Sequence, residues 1–408
     1  MKFDYEQALE RGEALKMLCE AWGEPDLGIE TVLLPQAQGR VAAHDVRAAC
    51  SIPVVRSSKR DGIAVKSSAF AAGVPDGSAW VRGIDYAQAD TGDDFPDEFD
   101  AVVAVEGIER LEGGGIRFVD DDLEVKPGDG VNPCGSIVKE GSLIVPARTM
   151  LSAEAVAACA VGGLAQIDVI RRLRVAFLPT GSELVPWGSY PERGKNIEAN
   201  GLLASGMLKE WGAEAVVYPM VRDEPSLLEK ALDRALSAAD IVLINGGSSR
   251  GEEDYNSKML QARAAYFRHG VRAVPGRPVG MAVIGGKPVV NVPGPPLAAF
   301  LALDWLIRGM IAFAYGIPAP ERQRLRVRMG VDVAKPPKFE RLMRVRLSQD
   351  GDGGMTCVPM PTDCGVPAQL AGSDAMLSIP IGSGGVHAGD EVEVELLRPL
   401  EAIRASWR

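Results

Sequence analysis

The chain is poor in the residues that most often carry chemistry. Only three histidines occur in 408 residues: His44, His269 and His387. That excludes a histidine-rich metal centre, and each of the three reads first as a surface or loop residue. Six cysteines (Cys19, Cys50, Cys134, Cys159, Cys357 and Cys364) are scattered, with no C-x-x-C pair. Neither a zinc ribbon nor a redox motif is indicated. No uninterrupted apolar run of about 18 residues is present, which predicts no membrane span. The N-terminus, MKFDYEQALERGEALKML, is charged and lacks the apolar region of a secretory signal. These absences predict a cytoplasmic protein with reduced thiols. The G-x-G-x-x-G and Walker A patterns are missing too, which argues against an unrelated nucleotide-binding α/β enzyme. Positive charge is in deficit: 44 Lys and Arg against 55 Asp and Glu give −11. That balance argues against general nucleic-acid binding. It leaves room for a small anion held by backbone donors and a few arginines.

What is present is globular. With 46 Gly and 28 Pro the chain is loop-rich, yet 46% of its residues are apolar. Its length predicts two to four domains. Phe3, Ala8, Leu15 and Leu18 recur at roughly helical spacing, predicting an amphipathic helix over 3–22. Residues 45–148 hold short β-like runs (AVVAVEGI, GIRFV, SLIVPA) between Gly, Asp and Pro, the texture of a small β module. LSAEAVAACAVGG (151–163) reads as an alanine-rich helix with a glycine stop. From Leu173 strands and helices alternate: RLRVAFLP, EANGLLASGMLKEWG, AVVYPMV, SLLEKALDRALSAAD, IVLING, KMLQARAAYF, KPVVNVPG and PLAAFLALDWLIRGMIAFAYG. Such alternation predicts a doubly wound, mostly parallel sheet. After Pro318 four strand-like runs return, predicting a C-terminal β barrel. The expected division is 1–44 with 149–172, 45–148, 173–318 and 319–408.

The richest stretch is IVLINGGSSRGEEDY (241–255). A buried strand breaks into Asn245, Gly246, Gly247, Ser248, Ser249, Arg250 and Gly251. Backbone N–H groups at the carboxyl edge of an open α/β sheet suit a phosphate or another oxyanion. Asp254 at the rim is a carboxylate able to hold Mg²⁺. An isolated Gly-Gly here equally reads as an ordinary strand-to-helix connection. Other strand ends carry related signals. PTGSEL (179–184) turns the chain at Thr180 and Gly181 and is expected to put Glu183 at a helix start. There the carboxylate either serves a ligand or merely favours the helix N-terminus. Two Pro-Gly turns follow, VPGRP (274–278) and NVPGPP (291–296), the first offering Arg277 as a planar fork; taken alone, it reads as well as a surface arginine. In the β module, KRDGIAV puts Asp61 before Gly62 in a tight turn, and ADTGDDFP puts Thr91 and Gly92 in a loop. Glu106 falls at a strand end.

The order of these motifs is more specific than any of them. RDGIAV, ADTGDDFP with AVVAVE, LPTGSEL, VRDEP, NGGSSRGEEDY, VPGRP and VPGPP, flanked by QGRVAAHDVRA and MLSIPIGSGGVHAGDEVEVELL, resemble the MoeA family of molybdopterin molybdenumtransferases, relatives of the gephyrin E domain. The resemblance spans nearly the whole chain. It implies an α/β plus β fold: a doubly wound molybdopterin-binding domain, an inserted β domain, an elongated helical and β region and a C-terminal barrel. It also implies an elongated homodimer whose sites are shared between subunits.

The implied reaction inserts molybdate into adenylylated molybdopterin with release of AMP, assisted by Mg²⁺. On this resemblance Asp61, Thr91, Glu183, Asp223 and Asp254 are the catalytic candidates, with Glu183 and Asp254 as metal ligands. Thr180, Gly181, Asn200, Gly246, Gly247, Ser248, Ser249, Arg250, Gly251, Arg277, Pro278, Pro293 and Gly294 would line the cofactor pocket. Several positions depart from the family pattern. Gly270 and Val274 stand where lysines are usual, Pro295 replaces an asparagine, Ser136 and Ile137 replace an acidic pair, and DGIAV replaces DGYAV. A hydrogen bond to a charged group is worth about 1.5–3 kcal/mol, so two lost cost roughly 100- to 10⁴-fold in affinity. Arg250, Arg268 and Arg272 are the nearby cations in sequence. The alternative is an impaired paralogue that binds molybdopterin or a partner protein as carrier, chaperone or regulator.

Overall fold

The computed structural model describes residues 8–246, 255–334, 338–349, 351 and 353–406. The chain divides into two compact units, residues 29–170 and the remainder.

The larger unit is built on a six-stranded sheet. Its strands are β1 (Arg174–Pro179), β2 (Glu214–Val217), β3 (Ile241–Asn245), β4 (Tyr266–His269), β5 (Gly280–Ile284) and β6 (Lys287–Val292), in the spatial order β2-β1-β3-β6-β5-β4. The first four in that order are parallel; β5 and β4 are antiparallel additions at one edge. β1 and β3 read as unbroken apolar runs because helices cover both faces of a parallel sheet. Every residue of β3 is buried.

The helices follow the sequence closely. α1 (Arg11–Trp22) buries Ala14, Leu18 and Cys19 and ends at Gly23; Phe3 lies outside the described residues. α2 (Asn200–Glu210) stops just before Gly212. α3 (Pro225–Ala238) buries Leu228, Leu232 and Ala235, whereas Leu227 is exposed. α4 (Tyr255–Arg263) is shorter than KMLQARAAYF suggested, because Tyr266 and Phe267 belong to the antiparallel strand β4. α5 (Pro296–Ala302) runs on through a π-helical turn, Leu303–Ile307, to Tyr315, where Gly316 at φ 63° ends it in the left-handed region. These 20 residues are long and apolar enough to cross a membrane, although Asp304 and Arg308 interrupt the run. Most of the segment is packed inside the unit, as a core helix is.

The C-terminal part forms a closed five-stranded barrel: β7 (Arg324–Met329), β8 (Glu340–Gln349), β9 (Met355–Pro359), β10 (Ala375–Ile379) and β11 (Glu391–Leu396). Closure comes from β8 pairing with both β9 and β10. Val327, Met329, Val345, Leu347, Leu377 and Val394 fill it. The sequence showed four of these strands. The fifth, MTCVP, lacks an apolar alternation strong enough to stand out.

In the smaller unit Ile29–Leu33 pairs antiparallel with Gln166–Ile170, and helix Ala153–Val161 is capped by Ser152, whose Oγ accepts from Ala155 N–H at 3.2 Å. Strand Gly62–Val65 lies between Tyr86–Ala89 and Ala101–Ala104. Phe70, Trp80 and Phe118 pack edge-to-face beside it. Here the tight turn expected at Asp61-Gly62 is corrected. Gly62 opens the central strand, and a β-carbon there would lie 2.0 Å from the Val103 carbonyl oxygen. Close strand approach, not a hairpin turn, demands the glycine.

Candidate active site

The carboxyl ends of β1, β3 and β6 converge on a buried network of neutral polar groups. Thr180 N–H donates to the Asn245 carbonyl at 2.8 Å, and its hydroxyl donates to the same oxygen at 3.1 Å. Asn245 Nδ2 donates to the Pro293 carbonyl at 2.9 Å. Asn200, at the start of α2, donates to Asn245 Oδ1 at 2.9 Å and to the Gly294 carbonyl at 2.8 Å. Asn291 donates to the Ile244 and Gly246 carbonyls at 3.2 and 3.0 Å. Asn256 donates to the Gly246 carbonyl at 3.2 Å. These side chains are nearly inaccessible, and burial makes each satisfied amide a strong positional restraint. One acceptor is left over: among the described residues, Asn200 Oδ1 is buried without a hydrogen-bond partner.

Gly246 is where the chain must be glycine. Its φ is 129°, and a β-carbon would sit 2.3 Å from the Thr180 carbonyl oxygen. β3 and β1 can therefore draw together where the glycine-rich loop begins. Gly247, Ser248, Ser249, Arg250, Gly251 and Asp254 lie outside the described residues.

Glu183 does not open a helix. After Gly181 the chain enters a short extended piece, Leu184–Val185, paired with Asn196–Ile197; the helix begins only at Asn200. The reading of Glu183 as a helix-terminal charge is thus corrected. What favours the extended path is the anchoring of Ser182: its N–H donates to Asp223 Oδ2 at 2.9 Å, while its carbonyl accepts from Lys195 Nζ at 2.9 Å. Asp223 is thereby tied to the residue next to Glu183 in the chain, and both carboxylates are exposed. Glu198 serves α2, accepting from Gly201 N–H at 2.8 Å.

The two Pro-Gly loops approach each other at α5. A β-carbon at Gly276 would lie 3.8 Å from the Ala298 carbonyl oxygen. Arg277 and Pro278 are half-buried, and the Arg277 carbonyl accepts from Val271 N–H at 3.0 Å. Pro293 and Gly294 contribute their carbonyls to the asparagine network.

Of the arginines that the sequence offered in place of the missing lysines, Arg250 is outside the described residues. Arg268 is exposed and its guanidinium lies 5.7 Å from the Tyr266 ring centre. Arg272 donates through Nε to the Lys338 carbonyl at 3.4 Å. A different cation stands beside α5. Arg344, on the outer face of β8, is 7% exposed, and its guanidinium is 4.0 Å from the Phe300 ring centre. Phe300 lies four residues beyond Pro296, about 6 Å along the helix axis. Arg344 Nη1 donates to Ser373 Oγ at 3.0 Å. Nε and Nη2 are buried without a hydrogen-bond partner among the described residues. Burial first, then the nearby Arg322, pulls the Arg344 pKa down to about 10 against the opposing pull of Asp304, so it stays charged at neutral pH. Asp304, on the π-helical turn, is engaged by Arg322 at 2.7 Å and Arg308 at 3.7 Å. A buried guanidinium with two unmatched nitrogens has donor capacity to spare for an oxyanion. The sequence concealed it, because an arginine between outward positions of RLMRVRL reads as solvated.

In the smaller unit Asp61 and Thr91 meet. Thr91 donates to Asp61 Oδ1 from its N–H at 2.7 Å and from its hydroxyl at 2.8 Å. These bonds hold the Asp61 carboxyl below its ordinary range. Glu106 lies in the helical turn Val105–Gly107 directly after a strand. No cluster of three or more His, Cys, Asp or Glu suited to a metal occurs among the described residues.

Comparison with known proteins gives one consistent answer. Residues 4–163 match the MoeA N-terminal region (domain I and II), 176–312 a probable molybdopterin binding domain, and 326–397 the MoeA C-terminal region (domain IV). The chain is 28% identical over 388 residues to molybdopterin molybdenumtransferase 2 of Mycobacterium tuberculosis, covering 89% of this chain and 94% of that one. It is 30% identical over 296 residues to the molybdopterin molybdenumtransferase of a Nostoc species, covering 68% and 67%. Its fold resembles the crystal structure of the molybdopterin biosynthesis MoeA protein from Pyrococcus horikosii, with a TM-score of 0.80, 24% identity, and coverage of 96% of this chain and 100% of that one.

Proposed function

Because this chain belongs to the MoeA family, we propose that it is a molybdopterin molybdenumtransferase acting in molybdenum cofactor biosynthesis. Arg344 is the observation that carries the reading. A reaction on molybdate needs fixed positive charge, and the sequence lacks it at Gly270 and Val274. Arg344 offers two buried donors about one helical turn behind the VPGPP loop.

In this reading the pterin substrate lies along the sheet edge. Asn200 Oδ1, without a partner among the described residues, is the acceptor for a pterin N–H, and the glycine-rich sequence that follows Gly246 suits the phosphate. Arg344, oriented by its bond to Ser373 Oγ, holds molybdate, with Arg277 on the facing loop. The substrate is adenylylated, and AMP leaves as molybdate enters. Glu183 and Asp223 suit Mg²⁺, which commonly takes one or two carboxylates plus substrate phosphates; bound there, it would neutralise charge on the pyrophosphate. Asp61 and Thr91 reach the site from the other subunit of a cytoplasmic homodimer. The Thr91 bonds keep Asp61 ionised and oriented. In this reading the chain has four parts: 1–44 with 149–172, 45–148, 173–318 and 319–408.

The test is direct. Purified protein is mixed with adenylylated molybdopterin, Mg²⁺ and increasing molybdate, and AMP is followed. Molybdate-dependent AMP release is expected. Pterin binding without AMP release would replace the transferase with a carrier, and no pterin binding would overturn the reading altogether.

A further inference from the structure

The segment joining Glu183 to Asn200 carries two large aromatic rings held out in solvent. Trp187 is 63% exposed and Tyr190 is 96% exposed. They belong to a ten-residue strap, 186–195, whose sequence is PWGSYPERGK. Its base is fixed. Leu184 and Val185 pair with Asn196 and Ile197, Asn196 N–H donates to the Glu183 carbonyl at 2.9 Å, and Glu198 N–H donates to the Val185 carbonyl at 2.9 Å. Its body is turned by glycines: Gly188 at φ 84° and Gly194 at φ 82° both occupy the left-handed region. The strap thus leaves the site at the Glu183 rim and returns to it at Asn200.

We propose that this strap is a lid, and that Trp187 and Tyr190 stack on the planar heterocycle of the substrate bound at the sheet edge. The inference rests on the proposed function and names the part of the substrate that the strap reads. Five extended residues reach up to about 16 Å from the base, enough to fold back over the edge. A flat, electron-poor pterin presents a face to an indole or phenol, and base–aromatic stacking of this kind is worth roughly 5- to 100-fold in affinity. Arg193 and Lys195 outnumber Glu192 on the same strap, leaving it one positive charge beside a phosphate-bearing ligand. Nothing in the asparagine network supplies an aromatic surface, so the strap completes what the floor lacks.

Trp187 is itself the probe, being the one tryptophan among the described residues that is largely exposed. The full-length protein is titrated with neopterin phosphate, a stable pterin, and with AMP, following tryptophan fluorescence against the Trp187→Phe variant and total binding by calorimetry. Expected are quenching of the Trp187 signal by the pterin, a KM for the pterin substrate raised about 5- to 100-fold in Trp187→Ala and Tyr190→Ala with kcat nearly unchanged, and near-normal binding in Trp187→Phe. Quenching by AMP and not by the pterin would overturn the assignment. So would calorimetric binding of the pterin that is equal in wild type and Trp187→Ala, while leaving the transferase reading intact. Absence of pterin binding by the wild-type protein would overturn both.

Discussion

The carboxyl edge of the α/β sheet and the outer wall of the barrel are both polar and both buried, but they are satisfied to different degrees. At the edge, Thr180, Asn245, Asn256 and Asn291 direct their donors onto carbonyls, and among the described residues only Asn200 Oδ1 is left over. On the wall, Arg344 is buried with one bond to Ser373 and two nitrogens unmatched. A neutral, closed network fixes backbone geometry and costs little when no ligand is present. An under-satisfied charge costs stability until an anion arrives. In the proposed site, the first is scaffold and the second is receptor.

The largest effect on the scaffold side belongs to Gly246. Gly246→Ala forces a β-carbon against the Thr180 carbonyl, and we expect a loss of about 3–5 kcal/mol in a denaturant melt. A loss below about 1 kcal/mol would mean the strand ends are not held as tightly as described. On the receptor side, Arg344→Met should do the opposite: Met keeps an apolar contact with Phe300, and Arg322 and Arg308 still face Asp304, so stability should be unchanged or raised while the response to molybdate is abolished. A destabilised variant would make Arg344 a scaffold residue and erase the contrast. Asn200→Ala lies between the two. It breaks bonds to Asn245 and Gly294, at a cost of about 1–3 kcal/mol, and should also weaken pterin binding measured by calorimetry. Loss of stability with unchanged binding would assign Asn200 wholly to the scaffold.

The smallest effect is electrostatic. Thr91→Val removes one of two donors to Asp61 and should move the Asp61 pKa partway up toward the ordinary carboxylate range, read by NMR titration. The sign follows from linkage. A depressed folded pKa gives stability present above the unfolded pKa and lost as pH falls through the folded one. The variant should therefore show a weaker acid dependence than wild type. An unmoved pKa would leave the backbone N–H of Thr91 as the sole donor that matters.

The contrast also explains what the sequence made legible. Alternating strands and helices, the glycine at 246 and the Pro-Gly loops announce the sheet edge, since backbone geometry selects their residue types. Asn200 stood out only through family resemblance. Glu183 was misplaced because a strand, a glycine and a carboxylate look like a helix entrance; Ser182 and Lys195 instead hold the chain extended. Arg344 was missed for a different reason. Its burial arises from packing against Phe300, more than 40 residues away, and no local pattern encodes that contact. Strand β4 was absorbed into a helix because YFRH at a sheet margin has no alternation to betray it.

The central claim is that Arg344 supplies the charge which Gly270 and Val274 do not. The most direct measurement is the molybdate concentration that half-saturates AMP release in wild type and in Arg344→Ala. Losing two charge-assisted donors should raise it roughly 100- to 10⁴-fold, with Val274→Lys in the same background recovering part of the loss. Equal half-saturation in wild type and Arg344→Ala would contradict the account.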